Sequence, residues 1–510
     1  MTGQATIHDL LQHGSDDDVA ITGADRRALS YRELRAQVGQ TVAALNDSGI
    51  GRNDRVAIVL PNGPEMAIAF VSVACCATTA PLNPAYTRDE FDFYLSDIGA
   101  KALVVLQGTD SPAVAAARKL HIDVFELCTD QERPAGSFTL EVRQSSPQPA
   151  PAIGGLAGPD DVALVLHTSG TTSRPKIVPL SHANVSASAR NIQHTLRLEP
   201  ADVCLNVMPL FHIHGLMAAV LATFARGASV FAAPGFDALR FFGWLEQAQP
   251  TWYTAVPTMH QAILARAKRN QEIIERARLR FIRSSSSSLP PQVLHELEKI
   301  FGVPVVEAYA MTEAAHQMTC NQLPPGKRKP GTVGCAAGPE VAIMDQSGPQ
   351  LLARGETGEV VIRGDNVSKG YENNPQANGD CFVAGWFRTG DQGVLDEDGY
   401  LTITGRLKEI INRGGEKISP REVDDVLMDH AAIQQVVTFA MPHKSLGEEV
   451  AAAVVLRDGV TADEQDIRKF AAARLAAFKV PRKVLILDEI PKGATGKLQR
   501  IGLAEKLGIS

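Results

Sequence analysis

The chain has 510 residues, with 50 Lys and Arg against 57 Asp and Glu, a formal net charge of −7. Hydrophobic residues make up 45% and charged residues 21%, a globular composition that excludes a disordered, collagen-like or disulfide-framework chain. The mild acidity argues against a broad nucleic-acid footprint, which needs clustered Lys and Arg, and the one tight basic run, Lys327-Arg328-Lys329, reads as a solvated loop.

Residues 1–20 carry Asp and His where a signal peptide needs an apolar core. Ser30 and Glu33 form a capping box, and Leu34, Val38, Val42 and Leu45 then recur at helical spacing, with Gly49 as the C-cap. Val56 to Leu60 reads as a buried strand. Met66 to Leu82 is the most apolar run, too short and too interrupted by Ser72, Thr78, Thr79 and Pro81 to span a bilayer, and reads as a buried helix. Leu103 to Leu106 is another strand. This alternation predicts α/β layers with largely parallel sheet. Ser145 to Gly155, rich in Ser, Pro, Ala and Gly, reads as a surface connection.

The pattern changes after about residue 400. Leu401 to Thr404 alternates like a short strand. Thr461 and Glu464 fit a second capping box, ahead of Ile467, Phe470, Ala471 and Leu475 on one helix face. The expected division is a large N-terminal α/β domain over 1–405 and a small α+β domain over 406–510. The seven cysteines include no C-x-x-C pair, so reduced thiols in a cytoplasmic protein are expected rather than zinc or disulfides. The final Leu-Gly-Ile-Ser differs from a peroxisomal Ser-Lys-Leu tail.

The sharpest chemical signal follows the apolar strand Val162 to Leu166. His167 leads into Thr168, Ser169, Gly170, Thr171, Thr172, Ser173, Arg174, Pro175 and Lys176. Small residues let backbone N–H groups approach phosphate oxygens, hydroxyls add donors, and Lys176 supplies a point charge. The G-x-x-x-x-G-K-[ST] spacing is absent, so this is no Walker A loop. A Ser/Thr-rich surface turn is the plainer alternative.

This loop resembles the signature of the adenylate-forming, or AMP-binding, superfamily of acyl-CoA synthetases, luciferases and adenylation domains. Further segments resemble it in the family's order: Met208 to Gly215, Tyr309 to Glu313, Trp386 to Asp391, Gly405 to Glu409 with Arg413 to Lys417, and Pro491 to Lys497. The resemblance implies a large domain of layered α/β sheets and a smaller, mobile C-terminal domain. It implies activation of a carboxylic acid with ATP and Mg²⁺, then transfer to coenzyme A. No nucleic-acid partner and no membrane span are expected, and the sequence leaves the oligomer open.

Attack of a carboxylate on the α-phosphorus of ATP builds charge on groups that are already anionic, so catalysis needs cations and donors. By resemblance, Lys497 is the catalytic lysine and Glu313 the Mg²⁺-binding carboxylate. Ala308 and Tyr309 border the adenine, Thr312 contacts phosphate, and Asp391 takes the ribose hydroxyls with Arg406 as its partner. His212 matches a gate between the ATP and acyl pockets, with a packed core histidine as the alternative. Lys408 matches the hinge. Gly414 and Gly415 match the passage for pantetheine, and a tight turn is their simpler use.

Within the superfamily, Glu307 to Met318 looks most like the oxalate–CoA ligases, with Ala310 where glycine is usual. Hydroxyls in the run Ser284 to Ser288, Ser285 and Ser286 among them, suit a small polar acid better than an aliphatic tail. With His214 and His316 they could donate to a second carboxylate. The alternatives are a serine loop beside the adenine and a merely packed His316. No arginine clamp is evident, which leaves the second carboxylate to neutral or titratable groups. Other expectations are a medium-chain or aromatic acyl-CoA ligase, or a protein that loads a carrier in trans.

Overall fold

In a computed structural model the described residues are 5–144, 151, 153–168, 175–457, 459–491 and 499–509. The chain divides into two compact units. Of the described residues, the first comprises 5–144, 151, 153–168, 175–340 and 363–382, and the second 341–362, 383–457, 459–491 and 499–509.

Two large sheets organise the first unit. A seven-stranded sheet runs in the order Thr139–Gln144, Asp123–Cys128, Ala102–Leu106, Arg55–Val59, Thr78–Pro81, Val162–Thr168 and Lys176–Ser181. Its inner pairs are parallel, and the two edge pairs are antiparallel. A nine-stranded sheet places Val203–Asn206, Trp252–Ala255, Phe281–Ser285 and Val305–Met311 side by side and parallel. The turn back to His316–Cys320 is antiparallel. Parallel strands buried on both faces read as continuous apolar runs, which is why Val56 to Leu60 and Leu103 to Leu106 were legible as strands.

Local signals hold in most places. Ser30 Oγ accepts the Glu33 N–H at 3.3 Å, and Glu33 accepts the Ser30 N–H at 2.8 Å, opening the helix Tyr31–Asp47. That helix ends with Gly49 at φ 78°. There Ile50 N–H bonds the Leu45 carbonyl and Gly49 N–H bonds that of Asn46, a Schellman closure.

Two expectations change. The run from Met66 to Leu82 is not one helix. The helix Pro64–Ala74 ends, and Thr78–Pro81 continues as a central strand, because the β-branched pair Thr78 and Thr79 donates side-chain hydrogen bonds to Val162 and Ala163. The C-terminal helix is Glu464–Ala472, and its capping box is Asp463 with Asp466, not Thr461 with Glu464. Glu464 instead accepts the Val484 N–H at 3.1 Å, tying the helix to the strand Lys483–Ile486. Ile467 and Ala471 are buried as expected.

The second unit carries two five-stranded sheets. One includes the pair Trp386–Leu395 and Leu401–Arg406, and the other the long pair Ile433–His443 and Gly447–Leu456. Pro420–Met428 and Glu464–Ala472 cover the latter over a core of Ile411, Val423, Leu427, Val450 and Ile467.

Among the described residues no disulfide links the cysteines, and Cys75, Cys76, Cys204 and Cys320 are buried. No helix of the described residues is long and apolar enough to cross a membrane. Of the basic run, Arg328 pairs with Glu298 at 3.1 Å while Lys327 is exposed.

Candidate active site

The strand Val162–Thr168 ends where the phosphate-loop candidates begin. Thr168 lies opposite Lys176 in the antiparallel register. Ser169, Gly170, Thr171 and Thr172 lie outside the described residues, and so does Lys497. The Lys176 ammonium sits 4.3 Å from the ring centroid of Tyr371, a cation–π contact. The Tyr371 hydroxyl donates to Glu313 Oε1 at 2.7 Å. Burial, then the Glu313 charge, pushes that phenol far above its usual range, so it stays a donor.

Glu313 itself is 7% exposed, in the short turn Thr312–Ala314 after the strand Val305–Met311. That turn is braced from a distant segment. Ser368 N–H donates to the Glu313 carbonyl at 2.7 Å, and the Asn366 amide donates to the Ala314 and Gln317 carbonyls. Tyr309 and Thr312 are half-buried and Ala308 is buried on the same strand and turn. Among the described residues no cluster of three or more His, Cys, Asp or Glu side chains forms a metal cage. One carboxylate with an aligned donor is what a magnesium ion held mainly by phosphate oxygens and waters requires, so Glu313 fits that role.

The other half of the candidate set lies in the second unit. Asp391 and Arg406 face each other across antiparallel strands, with Arg406 Nε 3.1 Å from Asp391 Oδ1. Asp391 follows Gly390 at φ 75°, and its N–H bonds the Thr389 hydroxyl at 3.1 Å. Lys408 is exposed in the turn Leu407–Glu409. Next to it Glu409 pairs with Arg500 at 3.2 Å, and Arg500 also holds buried Asp424 at 2.7 Å. Gly414 and Gly415 form a two-residue hairpin turn between Ile411–Arg413 and Glu416–Ile418, with φ 58° and 100°. A side chain on Gly414 would meet Leu446 at 2.9 Å, while the space at Gly415 is open. Paired positive φ values are what such a turn demands.

The acyl-pocket candidates converge most densely. His212 is half-buried with its ring 4.6 Å from Phe211. Two residues on, His214 opens a buried π-helical segment, His214–Leu221, a geometry frequent at functional sites. The His214 ring stacks on His316 at 4.9 Å and 27°. His214 Nδ1 lies 3.0 Å from Ser286 Oγ, and its Nε2 lies 2.6 Å from Thr254 Oγ1. Ser286 and His316 sit at φ 71° and 97°, strained for residues with side chains. Ser285 is placed differently from its neighbour: its hydroxyl donates to the Ala308 carbonyl at 2.9 Å.

The sequence shows no evident arginine clamp, yet an arginine lies against two of these candidates. Arg283, on the strand Phe281–Ser285, is fully buried. Its guanidinium lies 3.3 Å from His214 Nε2 and 3.2 Å from both His316 Nε2 and Gln317 Oε1. In the sequence it follows Arg276, Arg278 and Arg280, and no motif marks it. The signal that could have found it is strand alternation, which turns residue 283 to the same face as Phe281 and Ser285.

Residues 11–372 match the AMP-binding enzyme family, and residues 422–497 match the AMP-binding enzyme C-terminal domain. An oxalate–CoA ligase of Arabidopsis thaliana is 48% identical over 499 residues, 95% of this chain and 96% of that protein. An oxalate–CoA ligase of Saccharomyces cerevisiae is 42% identical over 96% of this chain and 95% of its own length. The solved structure of ATP-bound MatB from Rhodopseudomonas palustris superposes with a TM-score of 0.88 at 30% identity, covering 99% of each chain. With its sheet architecture and motif residues, the chain belongs to the AMP-binding enzyme family.

Proposed function

We propose that the protein is an ATP-dependent oxalate–CoA ligase. A carboxylate oxygen of oxalate attacks the α-phosphorus, diphosphate leaves, and the oxalyl-adenylate forms. The sulfur of coenzyme A then displaces AMP to give oxalyl-CoA. The observation that carries the choice of acid is the buried polar cluster of Arg283, His214, His316 and Ser286. An aliphatic tail entering it would strand those groups without partners, whereas a short diacid satisfies them. Relatives at 42% and 48% identity that are oxalate–CoA ligases support the same reading.

The roles follow the chemistry. Thr168, Ser169, Gly170, Thr171, Thr172 and Lys176 bind phosphate, and Ala308 and Tyr309 border adenine. Thr312 and Glu313 serve phosphate and magnesium. A hard cation at Glu313 would offset charge on the phosphates. Asp391 and Arg406 bind ribose, His212 gates, and Lys497 bridges the reacting oxygens. Division at 405/406 with Lys408 as hinge, and Gly414 and Gly415 as the pantetheine passage, belong to the same proposal. A cytoplasmic setting does too, supported by the four deeply buried thiols, and cell fractionation checks it.

Mass spectrometry of products from purified protein, ATP, Mg²⁺ and coenzyme A tests the reading against oxalate, malonate, acetate, hexanoate and 4-coumarate. Oxalyl-CoA with AMP from oxalate is expected, at a rate far above any thioester formed from the other acids. Thioester from hexanoate or 4-coumarate in preference to oxalate would discard the substrate and keep the reaction. For the two half-reactions, Lys497→Ala should abolish adenylation yet preserve thioester formation from supplied oxalyl-adenylate. Equal loss of both would refute the division of labour.

A further inference from the structure

Arg283 poses a physical problem that the family assignment leaves unanswered. It lies in the middle of the nine-stranded sheet, between the strands Trp252–Ala255 and Val305–Met311, with no exposure to solvent. Among the described residues no Asp or Glu carboxylate pairs with it. Its contacts are His214, His316, Thr254 and Gln317, none of them a carboxylate, and its Nε has no partner. Nearby Cys320 cannot compensate, because burial pushes its thiol up to about 11. The Cys204 thiol is pushed up by burial as well. Burial lowers Arg283 itself to about 10, which still leaves it charged near neutral pH. A buried cation without an anion is destabilising, so this arrangement is costly unless something anionic completes it.

The geometry also dictates proton positions. A guanidinium only donates. Arg283 therefore requires a lone pair on Nε2 of both His214 and His316, and in a neutral ring that puts the hydrogen on Nδ1. For His214 this makes Nδ1–H the donor to Ser286 Oγ at 3.0 Å and frees the serine's own hydrogen to point elsewhere. The two rings, stacked at 4.9 Å, thus share one tautomer under one cation.

We propose that Arg283 is a positioning and specificity residue of the acyl pocket. It fixes His214 and His316 as Nδ1–H donors, and it supplies the buried positive charge that selects a short acid bearing a second carboxylate. This rests on the oxalate reading above. The acid's distal carboxylate takes its hydrogen bonds from the histidine and serine donors, and its negative charge balances the guanidinium behind them. A monocarboxylate such as acetate gains nothing from that charge.

Two measurements on the full chain test it. The first is long-range ¹H–¹⁵N correlation of the ring nitrogens in histidine-labelled protein, with His214→Gln and His316→Gln identifying the signals. Both rings are expected as the Nδ1–H tautomer, with loss of that preference in Arg283→Gln. Finding Nε2–H rings in the unaltered protein overturns the proposal, and that result needs no variant to fold and no substrate to be right. The second compares kcat and KM for oxalate and acetate in Arg283→Gln and Arg283→Lys. The expected outcome is a rise of about 30-fold or more in KM for oxalate with Arg283→Gln, little change for acetate, and partial recovery with Arg283→Lys. Equal losses on both acids overturn the specificity role and leave only a structural one. If the unaltered protein makes no oxalyl-CoA, the substrate reading fails, while the tautomer result stands by itself.

Discussion

Two polar corners of the first unit handle charge in opposite ways. Around Glu313, a cation and an anion are both present: Lys176 lies over the Tyr371 ring, and the Tyr371 hydroxyl bonds the Glu313 carboxylate. Around Arg283, among the described residues, there is a cation with no carboxylate paired to it. The first corner is balanced before any ligand arrives, so it suits ligands that bring charges of both signs, a metal ion and phosphates. The second is unbalanced and completed only by an anion. Charge balance among the protein's own groups therefore tells apart a corner that orients its ligand from one that demands it.

The strongest way to break this comparison is at the balanced corner. Glu313→Gln keeps an acceptor for Tyr371 and removes the negative charge. It should cut kcat by about 10²–10³-fold, read as AMP release at saturating oxalate. A loss below tenfold would mean the carboxylate is only structural.

A buried histidine away from both corners serves as a control. His182 is fully buried, its Nδ1 accepts the Ile7 N–H at 3.1 Å, and burial holds it down to about 4. The folded state keeps it neutral while the unfolded chain takes a proton below about 6.5. Stability should then fall as pH drops from about 6.5 to 4, by about 3 kcal/mol from this residue. Denaturant titrations across that window, with His182→Gln as the flattened comparison, check it. A slope identical in both proteins would remove His182 from the account.

The smallest effect sharpens the comparison. Tyr371→Phe keeps the ring beneath Lys176 and deletes the donor to Glu313. The Mg²⁺ concentration for half-maximal rate should rise by about 10-fold with kcat at saturating Mg²⁺ close to unchanged. An unaltered Mg²⁺ requirement would detach Tyr371 from the metal site.

Much of this was legible in the sequence wherever chemistry depends on residue identity at short spacing. The Tyr309 to Glu313 turn and the pairing of Asp391 with Arg406 were both visible as strings. What escaped notice depends on contacts distant in sequence. Tyr371 meets Glu313 across 58 positions, and nothing in Gly370-Tyr371-Glu372 announces that partner. Arg283 belongs to a strand whose inward face is defined only once its neighbours are in place. The misplaced helix cap arose because Thr461, Asp463, Glu464 and Asp466 satisfy the same spacing twice. The winner frees Glu464 for the Val484 N–H, a choice made by tertiary structure.

The backbone of His316, at φ 97°, is one that glycine adopts at ease. A histidine persists there against its conformational preference, in company with Ala315 at φ 45°. Replacement by glycine would relax the turn while deleting one of the two rings above Arg283. That relief is outweighed, because His316 is fully buried and accepts a hydrogen bond from Arg283, so its removal would leave a cavity and a stranded buried donor. The strained backbone persists because the packing and hydrogen bonding of the ring it carries outweigh what a glycine would relax.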